Sequence, residues 1–153
     1  MPPWVKRSTL LLSVAGLGVS IYLTVAHFNS HITLACPATS TINCEKVTTS
    51  PESFFFHVPV ALLGLLFYVV MVGTNLPISW KISSLETPRL LLAGVGVLFI
   101  LWLIYSEIIT IGAICLWCTS VHIITLANFL VLLYARMTYS APDPQRSALT
   151  NLH

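Results

Sequence analysis

Four apolar runs, each near the length at which an α-helix crosses a hydrocarbon layer, constrain this chain more than any other feature. They fall at about residues 9–28, 58–76, 90–111 and 115–134. A helix needs about 20 consecutive apolar residues to cross a bilayer core of roughly 30 Å. Inside that layer every backbone N–H and C=O must be satisfied within the segment itself. The predicted fold class is therefore an all-α membrane protein, a bundle of four transmembrane helices embedded in a lipid bilayer. Composition agrees, because only 8% of the residues are charged, against about 25% in soluble domains. A scattered net charge of +2 excludes a nucleic-acid-binding surface. Residues 1–8 form a short polar lead with Lys6 and Arg7. A basic lead also begins cleavable signal peptides, but their apolar core is about 7–15 residues. The first run is longer than that, and a retained helix is predicted.

Residues 29–57 make the only long polar interval, and they carry Cys36 and Cys44. Loops of this length are functional or disordered. Ser50 followed by Pro51 predicts a short helix, with Ser50 as its cap and Pro51 at its first position. Phe54, Phe55 and Phe56 suit the headgroup region and would turn the loop back onto the membrane. Pro59 is expected in the first turn of the second span. Gly64, Gly94 and Gly96 are expected where helices approach closely. Gly112 and Ala113 mark the joint before the last span, and residues 136–153 read as a disordered tail. With four spans, Lys6, Arg7, Lys81, Arg89, Arg136 and Arg146 fall on one side and only Lys46 on the other. Basic residues stay cytoplasmic. Both termini are thus expected in the cytoplasm and all four cysteines outside it or at that boundary, where disulfides persist.

Cys115 and Cys118 form a Cys-x-x-Cys pair at the opening of the last run. Residues three apart share a helix face, and a helix N-terminus favours the reactive thiolate. Three readings compete. A four-thiolate zinc site fits the second pair but not the seven residues between Cys36 and Cys44. Two structural disulfides would make a non-enzymatic four-span scaffold, although a Cys-x-x-Cys bridge closes too small a loop to stabilise much. A two-stage relay would let the loop pair meet a soluble protein and the membrane-edge pair meet a lipid-soluble oxidant such as an isoprenoid quinone. Thiol–disulfide exchange passes two electrons per step through mixed disulfides, so the pairs need touch only transiently.

Three stretches carry a more specific signal: CPATSTINCEKVTTS from Cys36 to Ser50, VPVALLGLLFY from Val58 to Tyr68, and YSEIITIGAICLWC from Tyr105 to Cys118. In this order they resemble the vitamin K epoxide reductase family over about residues 9–135. The resemblance implies a four-helix bundle around a quinone, capped by an extracytoplasmic loop and its short helix. It implies a membrane thiol–quinone oxidoreductase of the cytoplasmic membrane that reoxidises a soluble extracytoplasmic thioredoxin-fold oxidase. The tail is too short for a fused thioredoxin-like domain, so that partner is expected to be a separate protein. Ubiquinone or menaquinone would be the acceptor, with no metal. Cys118 would be the sulfur beside the quinone, Cys115 the one exchanging with the loop, Cys44 the loop cysteine that bonds Cys115, and Cys36 the one meeting the partner. Ser50 matches a family serine near the quinone head. Val60 stands where the family often has asparagine, His122 where animal members have tyrosine, and Leu116 where many bacterial members have proline. Vitamin K epoxide reduction proper is the alternative activity.

His122 lies on the same helical stripe as the two cysteines. It is read as a quinone or proton contact, or as a histidine satisfied by a neighbouring helix. Glu107 is read as a proton source or a simple interfacial carboxylate. Trp102 and Trp117 are read as packing or interface anchors.

Overall fold

The computed structural model describes residues 1–139 apart from Ser30, Thr33 and Ala38. Five α-helices account for most of them: α1 (Pro3–Phe28), α2 (Cys44–Thr48), α3 (Val60–Asn75), α4 (Glu86–Tyr105) and α5 (Leu116–Tyr139). Short 3-10 turns occupy Pro51–Ser53, Ser79–Lys81 and Ser83–Leu85. An antiparallel hairpin pairs β1 (Phe54–Phe55) with β2 (Val58–Pro59) and leads into α3. Helix α1 packs on α3 and α5, and α4 packs on α5.

Three helical stretches are long and apolar enough to cross a membrane: Pro3–Phe28, Ser83–Ile111 and Leu116–Tyr139. The second apolar run gives a shorter helix than its sequence predicts. Val58 and Pro59 are drawn into the hairpin, which leaves α3 at 16 residues. Pro59 is accordingly not in the first helical turn but extended, at the position before it. Elsewhere two helices outrun their apolar runs. Helix α1 starts at Pro3 and takes in Lys6 and Arg7, and α5 continues through residues 136–139 of the expected tail. The remainder of that tail lies outside the described residues.

Large apolar side chains point outward, among them Leu11, Ile21, Leu91, Leu98, Ile123 and Leu130. The interior, by contrast, is rich in hydroxyls and amides. Thr9, Ser13, Gly16, Ser20 and Thr24 make a buried stripe along α1. Small residues permit close helix approach where lipid supplies no hydrophobic drive. Their hydroxyls are satisfied locally: Ser13 donates to the Thr9 carbonyl at 2.7 Å, and Thr24 to the Ser20 carbonyl at 2.7 Å. Ser13 Oγ also accepts from the Nδ2 of Asn75 (3.2 Å) and of Asn128 (2.9 Å), joining α1, α3 and α5 at one buried point. Ser13→Ala leaves both amide donors without that acceptor. It is expected to cost about 1–3 kcal/mol, measured as a lower unfolding midpoint in detergent, while Ser120→Ala on the exposed side serves as control.

The end of α3 shows how unpaired helix carbonyls are handled. Ser79 Oγ donates to the Gly73 carbonyl at 2.7 Å, Arg89 Nε to Thr74 at 3.0 Å, and Trp80 Nε1 to Asn75 at 3.1 Å. Arg89 is buried, with its guanidinium 3.8 Å above the Trp80 ring. It is therefore a capping residue of α3.

Of the glycines expected at close approaches, only Gly96 has that role. A Cβ there would come within 2.6 Å of the Phe67 ring, whereas Gly64 and Gly94 have neighbours no nearer than 3.7 and 3.6 Å. Gly16, which sequence reading passed over, lies directly against the Tyr68 ring.

Candidate functional site

The joint between α4 and α5 builds the site. Helix α4 widens into a π-helical turn at Ser106–Ile111, and Gly112 stops it with a left-handed φ of 63°. The chain then runs extended, and Ile114 forms a parallel bridge with Ile42 of the loop. Asn43 N–H donates to the Ile114 carbonyl at 3.1 Å, and Ile114 N–H donates to Thr41 at 2.9 Å. Adjacent bridged strands lie about 4.8 Å apart. Cys115 follows Ile114 directly and Cys44 lies two residues beyond Ile42, and the two cysteines share one buried cluster with Val47 and Ala113. Cys44 opens α2, whose end is capped by Asn43 accepting from Lys46 N–H at 2.9 Å.

Cys115 stands just before α5, and its Sγ accepts from the Cys118 N–H at 3.3 Å. That is the geometry of a helix N-cap, with sulfur in place of the usual oxygen. The three-residue spacing of the motif is thus a capping distance. A hydrogen bond from the Cys118 thiol holds the Cys115 thiol below its ordinary range, against the opposing effect of burial. Cys36 and Cys44 are joined as a disulfide, while Cys115 and Cys118 are free thiols. With Cys36 and Cys44 bonded to each other, they have no thiolates to offer a metal.

The two sulfurs of the Cys-x-x-Cys pair face different surroundings. Cys115 is fully buried against the loop cysteine. Cys118 lies on the wall of a cavity of about 120 Å³ between the helices. One water needs roughly 10–15 Å³ by such a measure, so this is no packing void. Apolar groups dominate its wall, including Leu23, Val60, Phe67, Phe99 and Leu103, and His122 and Glu107 are its ionisable groups nearest the dithiol in sequence. No Lys or Arg is among the lining residues. An apolar cavity with a thiol and a few polar atoms fits a quinone ring.

Predicted residues divide accordingly. Cys118, His122 and Val60 line the cavity, and Cys36, Cys44 and Cys115 gather at its loop side. Ser50 does not join the lining. It precedes the turn Pro51–Ser53 without a side-chain capping bond, and its hydroxyl instead donates to the Val47 carbonyl at 2.8 Å. Its neighbours Glu52 and Ser53 reach the wall in its place. Sequence reading missed Tyr68 and Thr125, whose hydroxyls are 2.7 Å apart at the wall. His27, whose position at the outer end of the first span suggests a solvated histidine or a metal ligand, lines the cavity and stacks edge-on to Phe54 at 5.3 Å. No spacing rule brings those residues together; the packing of α1 against α3 and α5 does.

A membrane helical bundle that sets a loop disulfide against a helix-capping dithiol defines an oxidoreductase class acting on sulfur. The chain matches the model of the vitamin K epoxide reductase family over residues 8–133 and belongs to that family. No curated protein matches the chain significantly. Family membership makes the protein a membrane oxidoreductase whose class chemistry couples thiols to quinones.

Proposed function

We propose that the protein is a thiol–quinone oxidoreductase of the cytoplasmic membrane that supports disulfide formation outside the cytoplasm. In this reading α3 is a fourth span. At 1.5 Å per residue its 16 residues reach about 24 Å, a mismatch that local bilayer thinning accommodates at modest cost. Both termini then face the cytoplasm, a placement that the distribution of basic residues supports, and the cysteines face outward.

The observation that carries the reading is the division of sulfurs: Cys44 beside Cys115, and Cys118 on the cavity wall. A soluble thioredoxin-fold partner gives two electrons to Cys36–Cys44. Cys44 then attacks Cys115 of an oxidised Cys115–Cys118 pair and releases Cys118 as thiolate at the cavity. Cys36 attacks Cys44, which re-forms the Cys36–Cys44 bond and frees Cys115, and the Cys115–Cys118 pair returns to the disulfide as its two electrons pass to a membrane quinone, ubiquinone or menaquinone. In this reading His122 and Glu107, buried on the same wall, exchange protons there.

The test is a count of alkylatable thiols in membranes with and without quinone. Depletion is expected to raise the number of labelled cysteines per chain toward all four. A number that does not respond to quinone supply identifies fixed disulfides and overturns the proposal.

A further inference from the structure

We propose that Tyr22 and Trp117 latch Ala35 so that Cys36 stays beside Cys44 when their disulfide opens, and thereby speed the resolution of a Cys44–Cys115 mixed disulfide. This rests on the relay reading above. Ala35 N–H donates to the Tyr22 hydroxyl at 3.0 Å, and the Ala35 carbonyl accepts from Trp117 Nε1 at 3.0 Å. The two rings meet edge to face with centroids 4.8 Å apart. Both polar groups of an exposed loop residue are thus tied to side chains, one on α1 and one on α5, where water would have sufficed. Ala35 immediately precedes Cys36, and Trp117 stands between Cys115 and Cys118.

The other end of this loop segment is already held by the Ile42–Ile114 bridge. While Cys36 and Cys44 are bonded, the disulfide itself closes the segment between. Once that bond opens, the latch is the attachment nearest Cys36. It restricts the cysteine to a small volume near its target, which raises its effective concentration above that of a free tether.

Resolution is balanced within the protein. The Cys36 thiolate attacks Cys44 Sγ, the Cys36–Cys44 bond forms, and the Cys44–Cys115 bond breaks. Cys115 leaves with the electron pair and takes up a proton equivalent to the one Cys36 lost. A leaving thiol held below its ordinary range departs faster, and Cys115 is such a thiol.

Tyr22→Phe and Trp117→Phe remove the hydrogen bonds and retain aromatic packing, which makes these positioning residues testable without emptying the site. A protease site placed in the 76–85 connection makes the mixed disulfide visible, because after cleavage only a Cys44–Cys115 bond holds the fragments together on a non-reducing gel. During turnover the trapped species is expected to rise severalfold in each variant and about tenfold in the double variant, as expected for one and two lost hydrogen bonds. Cys36→Ser, which blocks resolution outright, sets the upper limit. If Cys36→Ser accumulates the species and the two Phe variants stay at the wild-type level, the latch is wrong and the relay stands. If Cys36→Ser accumulates none, both fall.

Discussion

Replacing Cys118 by Ala is expected to reduce quinone reduction by about a thousandfold or more, the usual scale for loss of an attacking group. Cys118 is the only cysteine on the cavity wall among the described residues. Its partner Cys115 is fully buried on the loop side and has no second sulfur at the cavity once Cys118 is gone. Attack of the Cys115 thiolate on Cys44 of the Cys36–Cys44 disulfide, which forms the Cys44–Cys115 bond and releases Cys36 as thiolate, does not need Cys118 and is expected to survive. The variant should therefore still yield the Cys44–Cys115 bond while quinone absorbance stays constant. Quinone turnover within about tenfold of wild type, or loss of the Cys44–Cys115 bond together with turnover, would remove the assigned order of sulfurs.

The second large effect belongs to Gly16. A Cβ there would overlap the Tyr68 ring, and that ring has free space only on the cavity side. It is buried, and its hydroxyl sits 2.7 Å from Thr125. Gly16→Ala must push the ring toward the cavity or open α1 from α3. Overpacking of this kind costs about 1–3 kcal/mol. Gly18→Ala meets nothing within 4 Å and is expected to stay within about 0.5 kcal/mol of wild type. Thermal unfolding of both in detergent checks the pair, and equal midpoints would show that the Gly16 contact is not a tight one. Tyr68→Ala combined with Gly16→Ala should recover part of the loss attributed to the clash.

Much of the architecture was legible from residue order. Apolar runs of spanning length announced the helices, and Gly112 announced the break before Cys115. Basic residues suggested an orientation because their cost in lipid is high whatever they pack against. Readings failed where a role depends on the partner. Ser50 carries the right hydroxyl, but a local carbonyl takes it. Arg89 counts in the sequence only as one more basic residue, and its capping role exists because the end of α3 offers it the Thr74 carbonyl. Gly64 and Gly16 look alike in the chain, and only the neighbouring helix distinguishes open space from the Tyr68 ring.

By itself the amino-acid sequence determined that this chain lives in a bilayer, and that a dithiol opens its last helix. Hydrophobic length and the three-residue motif are local properties, and the physics of a single helix is enough to read them. Tertiary structure alone decided that Cys115 turns to the loop while Cys118 turns to the cavity, and that Ala35 is tied to α1 and α5. Those facts come from contacts between residues far apart in the chain, formed only when α1, α3 and α5 close around a shared polar interior.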